Sequence, residues 1–198
     1  MQAAIDQFRV NIKRIRDLLA LYSALNAQLT SAIDLSDILR SALVMGVSAL
    51  DHFVHEIVRL GMLEIWRNSR AETPAFQRFS ISLSSVRSAA MGASSDDWFD
   101  YEIRTGHGWQ SFQHPDKVAE AIRLVSDLAL WEEVAKRMGR TAGNVKQQLE
   151  LIVDRRNKIA HEADLDPTWN TQWPIDEALV SDAVIFIEHV AETIFQIL

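Results

Sequence analysis

Apolar residues recur at steps of three and four along most of the chain, which is the period of an amphipathic α-helix. Between residues 35 and 68 the apolar positions cover too wide an arc for a surface helix, so we predict that this helix is central. The pattern predicts an all-α bundle with helices at about 2–29, 35–68, 115–126, 127–138, 141–163 and 175–198. Asp34 or Ser36 is predicted to cap the central helix, and Thr141 the helix at 141–163.

The helical pattern weakens between about residues 70 and 112, where serine and glycine are frequent. We predict an irregular insertion of short helices and loops between the second and later core helices. Because this segment is too short to bury a core of its own, residues 1–198 are predicted to form one domain. Asp96, Asp97 and Asp100 are predicted to lie in the acid-rich first turn of a short helix.

Composition narrows the classes of protein that the chain can belong to. With 7 glycines and 4 prolines in 198 residues, the chain favours helices over a turn-rich β fold. Its lack of cysteine excludes disulfides, thiolate zinc sites and cysteine nucleophiles, and suits a cytoplasmic protein. We expect no membrane span, because no apolar run is long enough. The net charge of −7 disfavours non-specific nucleic-acid binding, so contact with RNA would need a local cluster of positive charge.

The stretch "RRNKIAHEAD" in the long late helix places charge where a buried stripe is expected. Arg156 falls in the middle of that stripe, so it needs a carboxylate, backbone carbonyls or a bound anion. Asn157 and His161 are four residues apart and share another face. Arg156 and His161 are about 140° apart around an ideal helix. Either the arginine bends round near the helix end, or a second copy across a twofold axis completes the site.

These residues resemble the R-x-x-x-x-H signature of the HEPN superfamily, with Arg156 as the arginine, Asn157 after it and His161 as the histidine. The motif with its flanks, "IVDRRNKIAHEAD", and the central "ALVMGVSALDHFVHEI" look most like the HEPN group named after its association with ribosomal L-PSP proteins. This resemblance implies a HEPN-like helical bundle. It also implies a metal-independent endoribonuclease without cofactors, or an RNA-binding relative, that works as a homodimer with both motifs at the interface.

The resemblance assigns catalysis to Arg156, Asn157 and His161. His161 would take the proton from a ribose 2′-hydroxyl or give one to the leaving oxygen, and Arg156 would hold the phosphate and the charge that builds on it. Asn157 would orient the histidine or the phosphate. Arg155 is a further candidate for contact with the RNA backbone. The predicted role is that of a toxin or antiviral defence effector, with an antitoxin protein as a further partner.

The central helix carries a polar strip made of Ser48, His52, His55 and Arg59. His52 and His55 are candidates for substrate binding, although a strip that faces solvent or an interface is the simpler interpretation. A third interpretation is a metal-dependent hydrolase, with nearby acids as further ligands, but the order H-x-x-H-E matches no zinc-hydrolase helix motif.

Two alternatives to an endoribonuclease therefore stay open: this hydrolase, and a non-catalytic dimer that binds RNA, nucleotide or a partner protein. His107 and His114 carry no spacing signal. Trp131 and Trp169 are interpreted as packing residues.

Overall fold

The computed structural model describes residues 1–30, 33–90 and 96–198. The described residues form eight α-helices and one 3-10 helix, Phe76–Arg78, and none of them lies in a β-strand. This confirms the predicted all-α fold. The helices are α1 (Gln2–Asn26), α2 (Ser36–Trp66), α3 (Leu83–Ala90), α4 (Asp97–His107), α5 (Pro115–Ile122), α6 (Leu130–Arg137), α7 (Ala142–His161) and α8 (Glu177–Ile197).

Helix α2 lies at the centre, as its wide apolar arc predicted. Helices α1, α7 and α8 pack directly on it, and α4 and α5 contact it further along. By length and composition α2 would be able to cross a bilayer, but 56% of its most apolar stretch is buried inside the protein. A helix with that much of its surface covered by neighbouring helices has the character of a core helix.

The starts of α7 and α2 test the two predicted N-caps. Thr141 caps α7 as predicted, because its Oγ1 accepts a hydrogen bond of 3.2 Å from Asn144 N–H. The prediction for α2 is wrong by one residue, since the residue before its first turn is Leu35, which has no capping side chain. Asp34 instead accepts a bond of 2.8 Å from Ser36 N–H.

The segment between α2 and α5 contains short elements, as predicted, while residues 91–95 lie outside the described part. The acid-rich stretch begins α4, with Asp97 and Asp100 in the first turn. The side of α4 that faces the core buries Phe99 and Ile103. The Phe99 ring lies against Trp66 at the end of α2, with the ring centroids 5.1 Å apart, so α2 supplies part of the surface on which this segment packs.

The two tryptophans that were predicted to pack behave differently. Trp131 is buried and donates a hydrogen bond of 2.9 Å from Nε1 to Pro115 O, which confirms its packing role. The prediction for Trp169 is wrong, because 75% of this residue is exposed. Trp169 lies in the loop between α7 and α8, where Asp166 Oδ1 accepts a hydrogen bond of 3.3 Å from its backbone N–H.

Gly61 in α2 allows a close approach to the turn that follows α5. A Cβ atom at this position would lie 2.7 Å from Cγ1 of Val125 and 3.0 Å from its Cβ. We expect Gly61→Ala to lower the free energy of unfolding by about 1–3 kcal/mol in urea titrations, because a packed core must move to admit the methyl group.

Gly143→Ala in α7 is the matched control for this prediction. A Cβ atom there would meet no atom within 4 Å, so alanine is expected to be neutral or to stabilise the helix by up to about 1 kcal/mol. Equal unfolding free energies for the two variants would contradict the close approach at Gly61.

Candidate active site

The motif occupies the last turn and a half of α7. Val145, Leu149 and Ile152 are buried and hold the first part of this helix against the bundle. The helix ends at His161, and two residues with left-handed backbone follow it: Ala163 at φ 53° and Asp164 at φ 56°. The chain therefore turns sharply directly after the motif.

Arg156 continues the buried stripe of α7 and is half-buried. Its Nη1 donates a hydrogen bond of 3.0 Å to Asn157 Oδ1, and its Nε is buried without a hydrogen-bond partner. Within the described residues no carboxylate forms an ion pair with Arg156. A partly desolvated guanidinium without a counter-charge can accept a bound anion, which a guanidinium already neutralised inside the protein cannot.

Asn157 and His161 lie on a neighbouring side of α7. On an ideal helix both are within about 20° of Glu150, which faces His114 at the start of α5, with Glu150 Oε1 3.8 Å from His114 Nε2. His161 itself is exposed. Because Arg156 bonds to Asn157, its guanidinium points towards the side of the helix on which His161 lies. The side-chain direction therefore reduces the separation of about 140° that helix geometry gives to Arg156 and His161.

Arg155 differs from Arg156 because its guanidinium is bound within the chain. Its Nη2 donates 2.8 Å to Asp164 Oδ2, 3.2 Å to Trp173 O and 3.1 Å to Pro174 O. Burial lowers the pKa of Arg155, against the attraction of Asp164. Contact with RNA would be left to Nη1, because Nε of Arg155 is buried, so its predicted role in substrate binding stays a prediction.

Asp164 lies at the centre of a buried ion cluster. Its side chain is 0% exposed, and Oδ2 also accepts a bond of 2.8 Å from Nε of Arg40 near the start of α2. We call Arg40, Arg155 and Asp164 the Asp164 anchor. Two guanidiniums bind the carboxylate of Asp164, so this residue is neither a solvated acid nor a partner of His161. The anchor joins α2, α7 and the loop after the motif.

Sequence reasoning missed the anchor, although one signal for it was present. Arg40 stands among apolar residues at the start of α2, and 6% of it is exposed, so it required a buried partner. The identity of that partner, 124 residues away, could not be read from spacing.

The two candidate histidines of α2 lie in different surroundings. His52 is exposed and lines a pocket between α1 and α2, whereas the ring of His55 lies against that of Phe112, with centroids 4.5 Å apart. Nε2 of His55 lies 4.0 Å from Asp51. Among the described residues, no group of three His, Cys, Asp or Glu side chains could hold a metal ion, so the metal-hydrolase interpretation gains no support from them.

His107, which carried no spacing signal, is buried at the end of α4. Burial and, to a smaller extent, the charge of nearby His55 lower its pKa to about 4, so His107 is neutral at pH 7. It lines a pocket of about 280 Å³ together with His52 and His55. Neutral His107 therefore adds no positive charge to this side of α2.

Arg59, the last residue of the predicted polar strip, is used for packing between helices. Its Nη1 lies 2.8 Å from Asp100 Oδ1 in α4, and its Nη2 lies 2.8 Å from Glu56 Oε2. The strip therefore faces solvent at Ser48 and His52 and is covered by α4 at Arg59. Ser48 and His52 are its most exposed residues, while His55 and Arg59 line the pocket of about 280 Å³.

Comparison with known families gives one match. The sequence model described as RiboL-PSP-HEPN matches residues 9–198, from within α1 to the end of the chain described above. No curated protein and no solved structure matches the chain.

Proposed function

Since the chain belongs to the RiboL-PSP-HEPN family, we propose that it is a metal-independent endoribonuclease with Arg156, Asn157 and His161 as its catalytic residues. The observation that carries this proposal is the state of Arg156. Its guanidinium is half-buried, has no carboxylate partner among the described residues, and bonds to the asparagine on the histidine's side. That arrangement suits a phosphate.

The proposed reaction needs only these side chains and the RNA. The ribose 2′-oxygen attacks the adjacent phosphorus while the bond from phosphorus to the 5′-oxygen breaks, which gives a 2′,3′-cyclic phosphate and a 5′-hydroxyl. His161 takes the 2′-proton or supplies the proton for the leaving oxygen. Arg156 offsets the charge that builds on the phosphate oxygens, and Asn157 fixes the direction of the guanidinium.

A homodimer is part of the proposal, because the reaction needs two proton transfers, one from the 2′-hydroxyl and one to the leaving 5′-oxygen. His161 of one subunit would carry out one of them, and the motif of the second subunit would carry out the other. Leu151, on the same helix as the motif, is 63% exposed, and Leu179 on α8 is 46% exposed. The two leucines line one groove between α7 and α8 and offer an apolar surface to a second subunit.

We also propose that the protein is a cytoplasmic toxin or antiviral effector, which an antitoxin protein would neutralise. Family resemblance supports this last step.

Cleavage of RNA in the presence of EDTA tests the proposal. We expect purified protein to cut single-stranded RNA at an undiminished rate in millimolar EDTA, because no step uses a metal ion. Gel analysis of a 5′-labelled RNA would show the fragments, and their 2′,3′-cyclic ends would identify the reaction. A cleavage rate that falls to background in EDTA and returns with added metal would instead support the hydrolase that uses His52 and His55.

Exposure of His161 favours one alternative, a non-catalytic dimer that binds RNA, nucleotide or a partner protein. In the described part of the chain no side chain forms a hydrogen bond with this imidazole, whereas a general base is commonly oriented by one. This alternative expects Arg156→Ala to weaken RNA binding while no variant, including the wild type, cleaves RNA. Cleavage by the wild type would exclude it.

A further inference from the structure

A groove crosses the surface of α2 from α1 to the end of α7. One part of it, about 400 Å³, is lined by Asn11 and Arg14 of α1 and by Ser48 and His52 of α2. A second part, about 530 Å³, is lined by Ile159 and Ala163 of α7. Val44 and Met45 of α2 line both parts, so the two parts adjoin each other on α2, and together we call them the α1–α2–α7 groove.

The α7 end of the groove lies next to Arg156, on the side of α7 away from His161. Ile159 lies three residues after Arg156, which is slightly less than one turn of α7, and about 160° around the helix from His161. From Val44 to His52 the α2 side of the groove extends roughly 12 Å, because each helical residue advances by about 1.5 Å. An RNA strand that passes the end of α7 at His161 and continues along α2 would therefore have more than one nucleotide in the groove.

Two arginines are among the described residues that line this groove, and since Arg40 is bound to Asp164, Arg14 is the one available to a ligand. The other basic residues of α1 have partners: Arg9 Nε lies 2.7 Å from Glu192, Lys13 Nζ lies 2.9 Å from Asp17, and Arg16 pairs with Glu188. Arg14 forms no hydrogen bond or ion pair with the described residues and is exposed. In a chain with a net charge of −7, an arginine that no acid neutralises has its charge available for a ligand.

The surroundings of Arg14 suit an anion. None of the described residues that line the α1–α2 part of the groove is acidic, and Asp37, which lines the α7 part, lies 3.5 Å from Nη1 of Arg40. Asn11 accepts a hydrogen bond of 3.2 Å from Gln7 on Oδ1, which leaves its amide N–H groups free to donate. Ser48 and His52 supply further donors on the opposite wall. Donors around an unpaired guanidinium, without a carboxylate, are what a phosphodiester requires.

We propose that the α1–α2–α7 groove binds the sugar–phosphate backbone of the RNA next to the scissile linkage, with Arg14 as its phosphate-binding residue. This inference rests on the proposed endoribonuclease function. It assigns Arg14 to binding alone, because Arg14 lies on α1 and outside the catalytic motif. The groove would select single-stranded RNA by its backbone and independently of base sequence.

The test compares Arg14→Gln with Arg16→Gln. Both variants remove one positive charge from the exposed side of α1, but Arg16 already pairs with Glu188. We expect Arg14→Gln to raise KM for a single-stranded RNA of about ten nucleotides by roughly five- to tenfold with unchanged kcat. The slope of log KM against log salt concentration should fall by about one, the change expected for the loss of one phosphate contact. Arg16→Gln should change KM less than about twofold.

A second substrate separates binding in the groove from an effect on the catalytic residues. A dinucleotide that contains only the scissile linkage has no second phosphate to place on Arg14, so wild type and Arg14→Gln should cleave it with equal kcat/KM. If the two variants change KM for the longer RNA equally while wild type cleaves it, the groove proposal is wrong and the proposed function stands. If wild type neither cleaves nor binds any RNA, the proposed function fails and the groove proposal fails with it.

Discussion

His161→Ala should slow RNA cleavage by about a hundredfold or more, since removal of a general acid–base group typically costs 10²–10⁴ in rate. His161 is exposed at the end of α7, and its imidazole forms no hydrogen bond with a described residue, so removal of this side chain should leave folding unchanged. Single-turnover cleavage of a labelled RNA measures the effect on chemistry, and fluorescence anisotropy measures RNA binding. We expect binding to change little, because Arg156 and the groove remain.

His189→Ala is the matched control for this variant. His189 is an exposed histidine on α8, outside the motif, and its removal should leave the cleavage rate within about twofold of wild type. Full activity in His161→Ala would remove the imidazole from the mechanism. Loss of both RNA binding and cleavage in that variant would point instead to a binding role for this histidine.

Sequence reasoning predicted the helices because each of them buries one regular stripe. Ile5, Phe8, Ile12 and Ile15 on α1 follow the helical period and are all buried. The boundary between α5 and α6 was less accurate. Helix α5 was expected to continue to residue 126, but it ends at Ile122, where the backbone forms tight turns with bonds from Leu124 N to Ala121 O and from Val125 N to Ile122 O.

The candidate site could be predicted only as far as it lies on one helix. The positions of Arg156, Asn157 and His161 around α7 follow from three residue numbers and the helical period. The partner of Arg155 could not be predicted, because Asp164 reaches it through left-handed backbone after the helix ends. Trp169 was misjudged for a related reason, since helical periodicity says nothing about a loop that turns back on itself.

Asp164→Asn should lower the free energy of unfolding by about 3–5 kcal/mol, the cost expected when one partner of a buried ion pair is removed. The substitution keeps the size of the side chain, and asparagine tolerates the φ of 56° at this position, so neither packing nor the backbone should account for the loss. Arg40 and Arg155 would lose the carboxylate that both guanidiniums contact at 2.8 Å. Urea unfolding followed by circular dichroism measures the change.

Asp154→Asn provides the comparison for the charge change alone. Asp154 is exposed on the same helix and pairs with no described residue, so its substitution should alter the free energy of unfolding by less than about 0.5 kcal/mol. An Asp164→Asn protein within 1 kcal/mol of wild type by the same assay would show that water or another group already satisfies the two guanidiniums.

Because Asp164 follows His161 by three residues, an anchor that fixes this turn should also affect function. In the temperature range where Asp164→Asn remains folded, we expect kcat for RNA to fall while Asp154→Asn keeps the wild-type value.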